Sequence, residues 1–362
     1  MKIVHLDTGD TLRGGQRQLL RLVQGLSLRG HTQLIVCPEA SELESASRQT
    51  GLSVFALPAH DPAHAHGILQ LRQQLRASPY QILHAHDGRG QTLAWLASMG
   101  MPVRRVASRR VTFAPKDRWT QGWKYARTCH AVIAISDFIR QLLIQADVPD
   151  AKIEVIPDGI EIPPSAPTPE PRSKVRAKWG CSDQDVVLGH LGAFTPEKGQ
   201  DVALDALLLL ADRLPHARLL LAGDGPTRTL PEMSQKVERA GARARLCGDI
   251  EDLADFYPAL DIFLMPSRAE GLGSAALHAM AFGIPVVASR VGGLPEIVDE
   301  GETGWLVPPD SPPALAEAIL AAASDPQRLV TMGQTARERA RQFSTDIMLA
   351  RTEALYERLL SS

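Results

Sequence analysis

No apolar run in this 362-residue chain approaches the roughly 20 residues needed to span a bilayer, so no segment reads as a transmembrane helix. Aromatic residues are sparse at 5%, and a 44% hydrophobic, 22% charged composition is that of a water-soluble globular protein long enough for two domains. Cysteine is scarce too. Cys37, Cys129, Cys181 and Cys247 lie far apart without paired spacing, which argues against a disulfide or zinc framework and for reduced core thiols of a cytoplasmic protein. The opening Met1-Lys-Ile-Val-His-Leu6 meets Asp7 too soon to form the apolar centre of a secretion signal. Short internal repeats are absent, and so is the Gly-x-Gly-x-x-Gly fingerprint after the first strand. The loop there is Thr8-Gly-Asp-Thr-Leu-Arg-Gly-Gly15, which disfavours a dehydrogenase.

What is present begins with charge. The net charge is −2, but residues 1–160 carry 19 Lys/Arg against 13 Asp/Glu and the remainder 20 against 28. The basic first half is expected to face something anionic.

Short apolar strands alternate with helical stretches, the pattern of α/β domains with parallel sheets. In the first half the expected strands are Lys2–Leu6, Gln33–Cys37, Ile82–His86, Val103–Ser108, Ala131–Ile135 and Ile153–Ile156, with a helix over Gln16–Arg29. In the second they are Val186–Leu191, Arg218–Ala222, Ala244–Cys247, Ile262–Met265, Val286–Ala288 and Gly304–Leu306. Between them, Ile162-Pro-Pro-Ser-Ala-Pro-Thr-Pro-Glu-Pro171 reads as a stiff linker. The expected organisation is a first domain over 1–161, a linker over 162–172, a second domain over 173–345 and a terminal helix over 346–362. Ligands of such sheets bind beyond the carboxyl ends of the strands, which places the following turns along a cleft between two facing domains.

The most informative stretch is Arg268-Ala-Glu-Gly-Leu-Gly-Ser-Ala-Ala-Leu-His278. Glu270 opens a glycine-rich turn that leads into a helix, leaving backbone N–H groups for an anion beside a carboxylate that can orient hydroxyls. A sugar joined to a diphosphate needs both. Lys198, in Gly192-Ala-Phe-Thr-Pro-Glu-Lys-Gly199, follows a buried strand and can neutralise a departing diphosphate, rather than being one more solvated surface lysine. Gly14-Gly15 opens a helix and suits a phosphate. His84 is expected in the core and His86 at the cleft, on opposite faces of their strand and therefore not a metal pair. His60, His64 and His66 read as incidental surface histidines, and Asp183-Gln-Asp185 as a turn rather than an acid-x-acid metal motif. From Arg104 to Arg127 basic residues (Arg104, Arg105, Arg109, Arg110, Lys116, Arg118, Lys124, Arg127) alternate with Phe113, Trp119, Trp123 and Tyr125. This suits an anionic lipid or glycan acceptor at a membrane face better than nucleic acid; the bland alternative is a charged surface with its rings in the core.

Taken together, Gly14-Gly-Gln-Arg-Gln-Leu-Leu20, Ala134-Ile-Ser136, Val155-Ile-Pro-Asp-Gly-Ile160, Pro196-Glu-Lys-Gly199, Leu221-Ala-Gly-Asp-Gly-Pro226, Pro266-Ser-Arg-Ala-Glu-Gly271, Ala279-Met-Ala-Phe-Gly-Ile-Pro-Val-Val-Ala-Ser289 and Gly292-Gly-Leu-Pro-Glu296 resemble the retaining GT-B glycosyltransferases of family 4 over nearly the whole chain. The resemblance implies two Rossmann-like domains, a nucleotide-diphosphate-sugar donor as substrate, no cofactor and no bound metal. It implies that Lys198 holds the donor diphosphate, and that Glu270 with the backbone of Gly271, Leu272 and Gly273 holds the sugar hydroxyls. Ser274 and its helix N-terminus would meet phosphate, with Gly14 and Gly15 closing over it. Arg245–Gly248, including Leu246, would lie against the base. Gly192, Thr195 and Gly225 join the donor site; His86, Arg109 and Arg110 lie on the acceptor side. It implies a terminal helix that returns to the first domain, and a glycan or lipid-linked acceptor of the cell-envelope type.

Three departures stand out. His278 replaces the second glutamate that normally grips the ribose hydroxyls, which makes that contact pH-sensitive. Ala193 stands where the family carries an arginine; Arg109, Arg110 and Arg268 are the candidates to compensate. The cleft histidine that many members carry after the strand ending in Ser108-Arg-Arg110 is missing. The expected activity is sugar transfer with retention; the rivals are a nucleotide-sugar-binding protein without catalysis and a sugar-nucleotide epimerase.

Overall fold

A computed structural model describes residues 1–58, 65–112, 122–164, 169–227 and 230–361. The expectations for His60, His64, Phe113, Lys116, Arg118, Trp119 and part of the proline segment lie outside these residues. Met1–Gly159 and Thr345–Ser362 make one compact unit and Ile160–Ser344 a second.

In the first unit the strands are β1 (Lys2–Leu6), β2 (Thr32–Pro38), β3 (Val54–Leu57), β4 (Ile82–Ala85), β5 (Arg104–Arg109), β6 (Ala131–Ala134) and β7 (Ile153–Val155). They form one parallel sheet in the order β3-β2-β1-β4-β5-β6-β7. β3 was not expected. It is a partly buried edge strand, paired with β2 alone and ending against Pro58. The helix Gly14–Leu28 begins at the glycine pair itself.

The terminal helix, Thr345–Ser361, buries Met348, Leu349, Leu355 and Tyr356 in one cluster with Ile3, Leu22, Leu26, Ile82, Val106 and Ile133 of the first unit. A Cβ at Gly25 would lie 2.3 Å from Leu349 Cδ1, so glycine lets these two helices approach.

The second unit holds β8 (Val186–Leu191), β9 (Ala217–Ala222), β10 (Ala244–Gly248), β11 (Ile262–Met265), β12 (Val286–Ser289) and β13 (Gly304–Val307), all parallel in the order β10-β9-β8-β11-β12-β13. β11 and β12 are buried throughout, which is why they read as unbroken apolar runs. The proline segment does not stay a linker through residue 172. A helix, Pro169–Lys178, starts inside it, because prolines in a first turn give up N–H groups that had no helical partner anyway.

In each sheet the strand order reverses once, between β1 and β4 and between β8 and β11. Loops leaving adjacent strands at such a point run to opposite sides and open a crevice. Most of the expected site residues follow these four strands.

Candidate active site

In the second unit, β8 feeds the Gly192–Gly199 loop and β11 the Pro266–Gly273 turn. Lys198 Nζ donates to Glu270 Oε2 at 2.6 Å, and Ser267 Oγ reaches the same oxygen at 3.4 Å. Both side chains keep some solvent contact, Lys198 at 26% and Glu270 at 12% exposure, so a ligand can reach them. Gly273 sits at φ 102°, and a Cβ there would meet Leu294 Cδ2 at 2.6 Å, so glycine is needed where the turn enters the helix Ser274–Ala281. That geometry leaves the first-turn N–H groups, beginning with Ser274, outside the helical ladder.

Arg268 ties the two loops together. Its backbone N–H donates to Glu197 O at 2.7 Å and its Nη1 to Pro196 O at 2.6 Å, while the guanidinium forks onto both oxygens of Asp201 at 3.0 and 2.7 Å and reaches Asp310 at 2.5 Å. The Asp201 carboxylate pushes the Arg268 pKa above its usual range. This corrects one expectation: Arg268 is committed to two carboxylates and does not replace the charge missing at Ala193.

Glycines bring the surrounding loops into contact. A Cβ on Gly223 would fall 2.1 Å from Gly192 O, and one on Gly292 1.8 Å from Glu270 O. Gly293 N donates to that same Glu270 carbonyl at 3.2 Å. Gly225 packs on Phe194, and Thr195 O accepts from Lys198 N at 3.0 Å. Leu246 lies half-buried on the edge strand β10, whose end meets Gly223 through the Gly223 N–H to Gly248 O bond of 2.7 Å. His278 sits on the helix Ser274–Ala281, its ring 6.4 Å from that of Tyr257. His190, not singled out from sequence, is fully buried beneath Gly192. Its Nδ1 donates to Leu264 O at 2.9 Å, while Nε2 has no hydrogen-bond partner among the described residues. Burial and the nearby Lys198 charge hold its pKa down to about 4.

In the first unit, Asp87 caps the helix Gly88–Ala97 through Arg89 N and Gly90 N, both at 2.7 Å, and also accepts from Thr8 Oγ1 at 3.0 Å. Asp7 accepts from Gln16 Nε2 at 2.9 Å, and burial followed by repulsion from Asp87 raises its pKa. A cavity of about 450 Å³ opens here, lined by Thr8, Gln16, Asp87, Gln91 and three cations, Arg89, Arg109 and Lys124. Arg109 lies over the buried Tyr125 ring at 5.9 Å, and burial lowers the Lys124 pKa.

His86 and Arg110 are joined, Nδ1 to Nη1 at 3.3 Å, and Arg110 Nε donates to Asp158 at 3.0 Å. The expectation that His84 and His86 face opposite ways is wrong. Positions i and i+2 share a face of a strand, and the two buried rings lie 4.0 Å apart. With His5 their donor nitrogens fall within 4.8 Å of one another, close enough for a metal ion, but every ring nitrogen has a hydrogen-bond partner. Asp183-Gln-Asp185 is a turn, with Asp185 tied to Ser182 and Arg218. All four cysteines are free thiols; Cys37 and Cys129 are core, but Cys181 and Cys247 are only half-buried.

A family model described as Glycosyl transferases group 1 matches residues 185–325, and one described as Glycosyltransferase Family 4 matches residues 12–162. The GDP-mannose-dependent alpha-(1-6)-phosphatidylinositol monomannoside mannosyltransferase of Mycolicibacterium smegmatis is 30% identical over 349 residues, which cover 90% of each chain. The D-inositol 3-phosphate glycosyltransferase of Corynebacterium glutamicum is 28% identical, over 86% of this chain and 80% of its own. Among solved structures, Anabaena HepE in complex with UDP matches all of both chains with a TM-score of 0.89 at 24% identity, a likeness of fold. The chain therefore belongs to glycosyltransferase family 4 and is a glycosyltransferase of the GT-B fold.

Proposed function

We propose that this enzyme transfers a sugar, with retention, from a nucleoside-diphosphate sugar to a phosphate-bearing glycan or lipid-linked acceptor. The observation that carries the reading is the Lys198–Glu270 pair at the mouth of a glycine turn and a helix N-terminus. A donor diphosphate draws Lys198 toward it and joins the N–H groups at Ser274, which leaves Glu270 free to accept from sugar hydroxyls. The bond from the anomeric carbon to the diphosphate breaks as the acceptor oxygen bonds on the same face, and the acceptor proton passes to the departing phosphate oxygen. Growing charge on that phosphate is met by fixed dipoles and Lys198, so the residues present supply the stabilisation without a metal. Gly192, Thr195, Gly225, Leu246 and His278 border the donor; Gly14 and Gly15 offer N–H groups to phosphate.

On the acceptor side, Arg89, Arg109 and Lys124 in the 450 Å³ cavity suit a phosphate, while Asp87 and Gln91 suit hydroxyls. The names of the relatives, specifying phosphatidylinositol monomannoside and D-inositol 3-phosphate, support such an acceptor. Trp123, 48% exposed, sets its ring 5.8 Å from that of Trp95 in this basic region and supports peripheral contact with an anionic membrane from the cytoplasmic side. Among the described residues, no helix is long and apolar enough to cross one.

The test is a thermal-shift panel of UDP, GDP, ADP and CDP with their common sugars, on wild type and Lys198→Ala, followed by transfer assays with the donor it selects. A ligand at 100 times its Kd stabilises by about 2.7 kcal/mol. One nucleotide stabilising wild type but not the variant supports the reading; binding without transfer, or isomerisation of the donor alone, overturns it.

A further inference from the structure

Two of the three clustered buried histidines, His5 and His86, form with Gln33 and Arg110 a chain whose direction can be deduced. Gln33 Nε2 lies 2.6 Å from Val23 O and 2.7 Å from Ser27 Oγ. A carbonyl oxygen only accepts, so the amide nitrogen of Gln33 must point there and its Oε1 toward His5 Nε2, at 2.9 Å. His5 Nε2 therefore carries the proton and Nδ1 the lone pair. That lone pair faces His86 Nε2 at 3.1 Å, so His86 donates from Nε2 and accepts at Nδ1. The group facing His86 Nδ1 is Arg110 Nη1, which can only donate. Starting from either end, at the Val23 carbonyl or at the guanidinium, gives the same tautomers.

We infer that Gln33, His5 and His86 form a one-directional hydrogen-bond relay that positions the Arg110 guanidinium beside the N-terminal glycines of the helix Gly14–Leu28. Asp158 holds Nε from the other side, and the stem of Arg110 passes 3.9 Å from where a Cβ on Gly15 would be. Arginine, with five donors, can be held at two of them and still present others. The inference rests on the reading of Gly14 and Gly15 as a phosphate-holding pair, and it makes Gln33, His5 and His86 positioning residues that act through Arg110. His84 lies outside the relay. Its nitrogens are taken by Tyr356 OH at 2.7 Å and Ser108 Oγ at 2.8 Å.

The test has two arms. Nitrogen-15 NMR of the full chain labelled at histidine reports tautomers directly. Protons on Nε2 of both His5 and His86 in the neutral protein are expected. A proton on Nδ1 of either ring, or bound zinc found by metal analysis at these nitrogens, overturns the relay. The second arm is a double-mutant cycle read as the Kd of whichever nucleoside diphosphate binds wild type.

Gln33→Met removes the far end of the relay, and it is expected to weaken binding about tenfold in wild type and not at all on top of Arg110→Ala. An equal effect in both backgrounds, or none in wild type, shows a core network without a positioning role and overturns the inference. The tautomers need no variant to fold, and they decide the relay even where no nucleoside diphosphate binds wild type, an outcome that would fault the donor reading alone.

Discussion

Lys198 Nζ and Glu270 Oε2 meet at 2.6 Å across 72 positions of sequence, each on the loop of one of two adjacent strands. Each charge is the other's partner while no ligand is bound. Removing Lys198 therefore does two things: it takes a cation from the departing diphosphate and leaves the half-buried Glu270 carboxylate unpaired. Lys198→Ala is expected to lower kcat by roughly 10²–10³-fold, the scale of losing one preorganised transition-state donor. Glu270→Gln, which keeps shape and removes charge, is expected to raise donor KM as well as lower kcat. Steady-state kinetics on both variants decide it, and unchanged turnover in Lys198→Ala would refute the role.

Arg268 makes a prediction that Lys198 does not. It touches no expected ligand group, yet its fork on Asp201 and its bond to Pro196 O fix the loop that carries Lys198. Lysine cannot reproduce the fork, so Arg268→Lys is expected to lose about tenfold in kcat/KM despite keeping the charge. A kcat/KM equal to wild type would show that the loop holds without the clamp.

These two predictions mark the line between what was readable in the chain and what was not. Lys198 and Glu270 stand beside glycines in loops after buried strands, a local signature. From sequence Arg268 is one of three candidates to supply the charge missing at Ala193, because the partners that occupy it, Asp201 and Asp310, lie 67 and 42 positions away. The sheets were legible because strands such as β11 and β12, buried on both faces, read as short apolar runs; Val54-Phe-Ala-Leu57 carries the same signal and pairs as edge strand β3, although it was not among the expected strands. His5 and Gln33 look like polar interruptions of apolar strands, and only the adjacency of β1, β2 and β4 joins them to His86.

Buried neutral histidines also set an acid limit. His5 in the first unit and His190 in the second are held down to about 4, chiefly by burial. Between that value and the unfolded 6.5, the unfolded chain binds the proton and the folded one does not, so stability is complete above pH 6.5 and falls as pH drops toward 4. By pH 5 each histidine costs about 2 kcal/mol. His84 and His86, lowered by burial, then by the neighbouring histidines and by Arg110, act with the same sign. Urea midpoints are expected to drop between about pH 7.5 and pH 5 in both units, and a flat profile would contradict the buried, neutral assignment.

Gly292 tests how far the Glu270 turn depends on the backbone behind it. Its φ of 56° is the left-handed region, and an added Cβ would lie 1.8 Å from Glu270 O, a contact that only backbone movement relieves. Left-handed strain of about 1–2 kcal/mol and overpacking of about 1–3 kcal/mol together predict a loss of roughly 2–5 kcal/mol for Gly292→Ala. Because the displaced carbonyl belongs to Glu270 itself, the variant is also expected to bind the donor more weakly at temperatures where it remains folded. Gly301→Ala is the control: its φ of 79° is equally left-handed, but no atom lies within 4 Å of the added Cβ, so it should lose only the strain and keep donor affinity. Equal donor affinity in the two variants would mean that the Gly292 contact does not place Glu270.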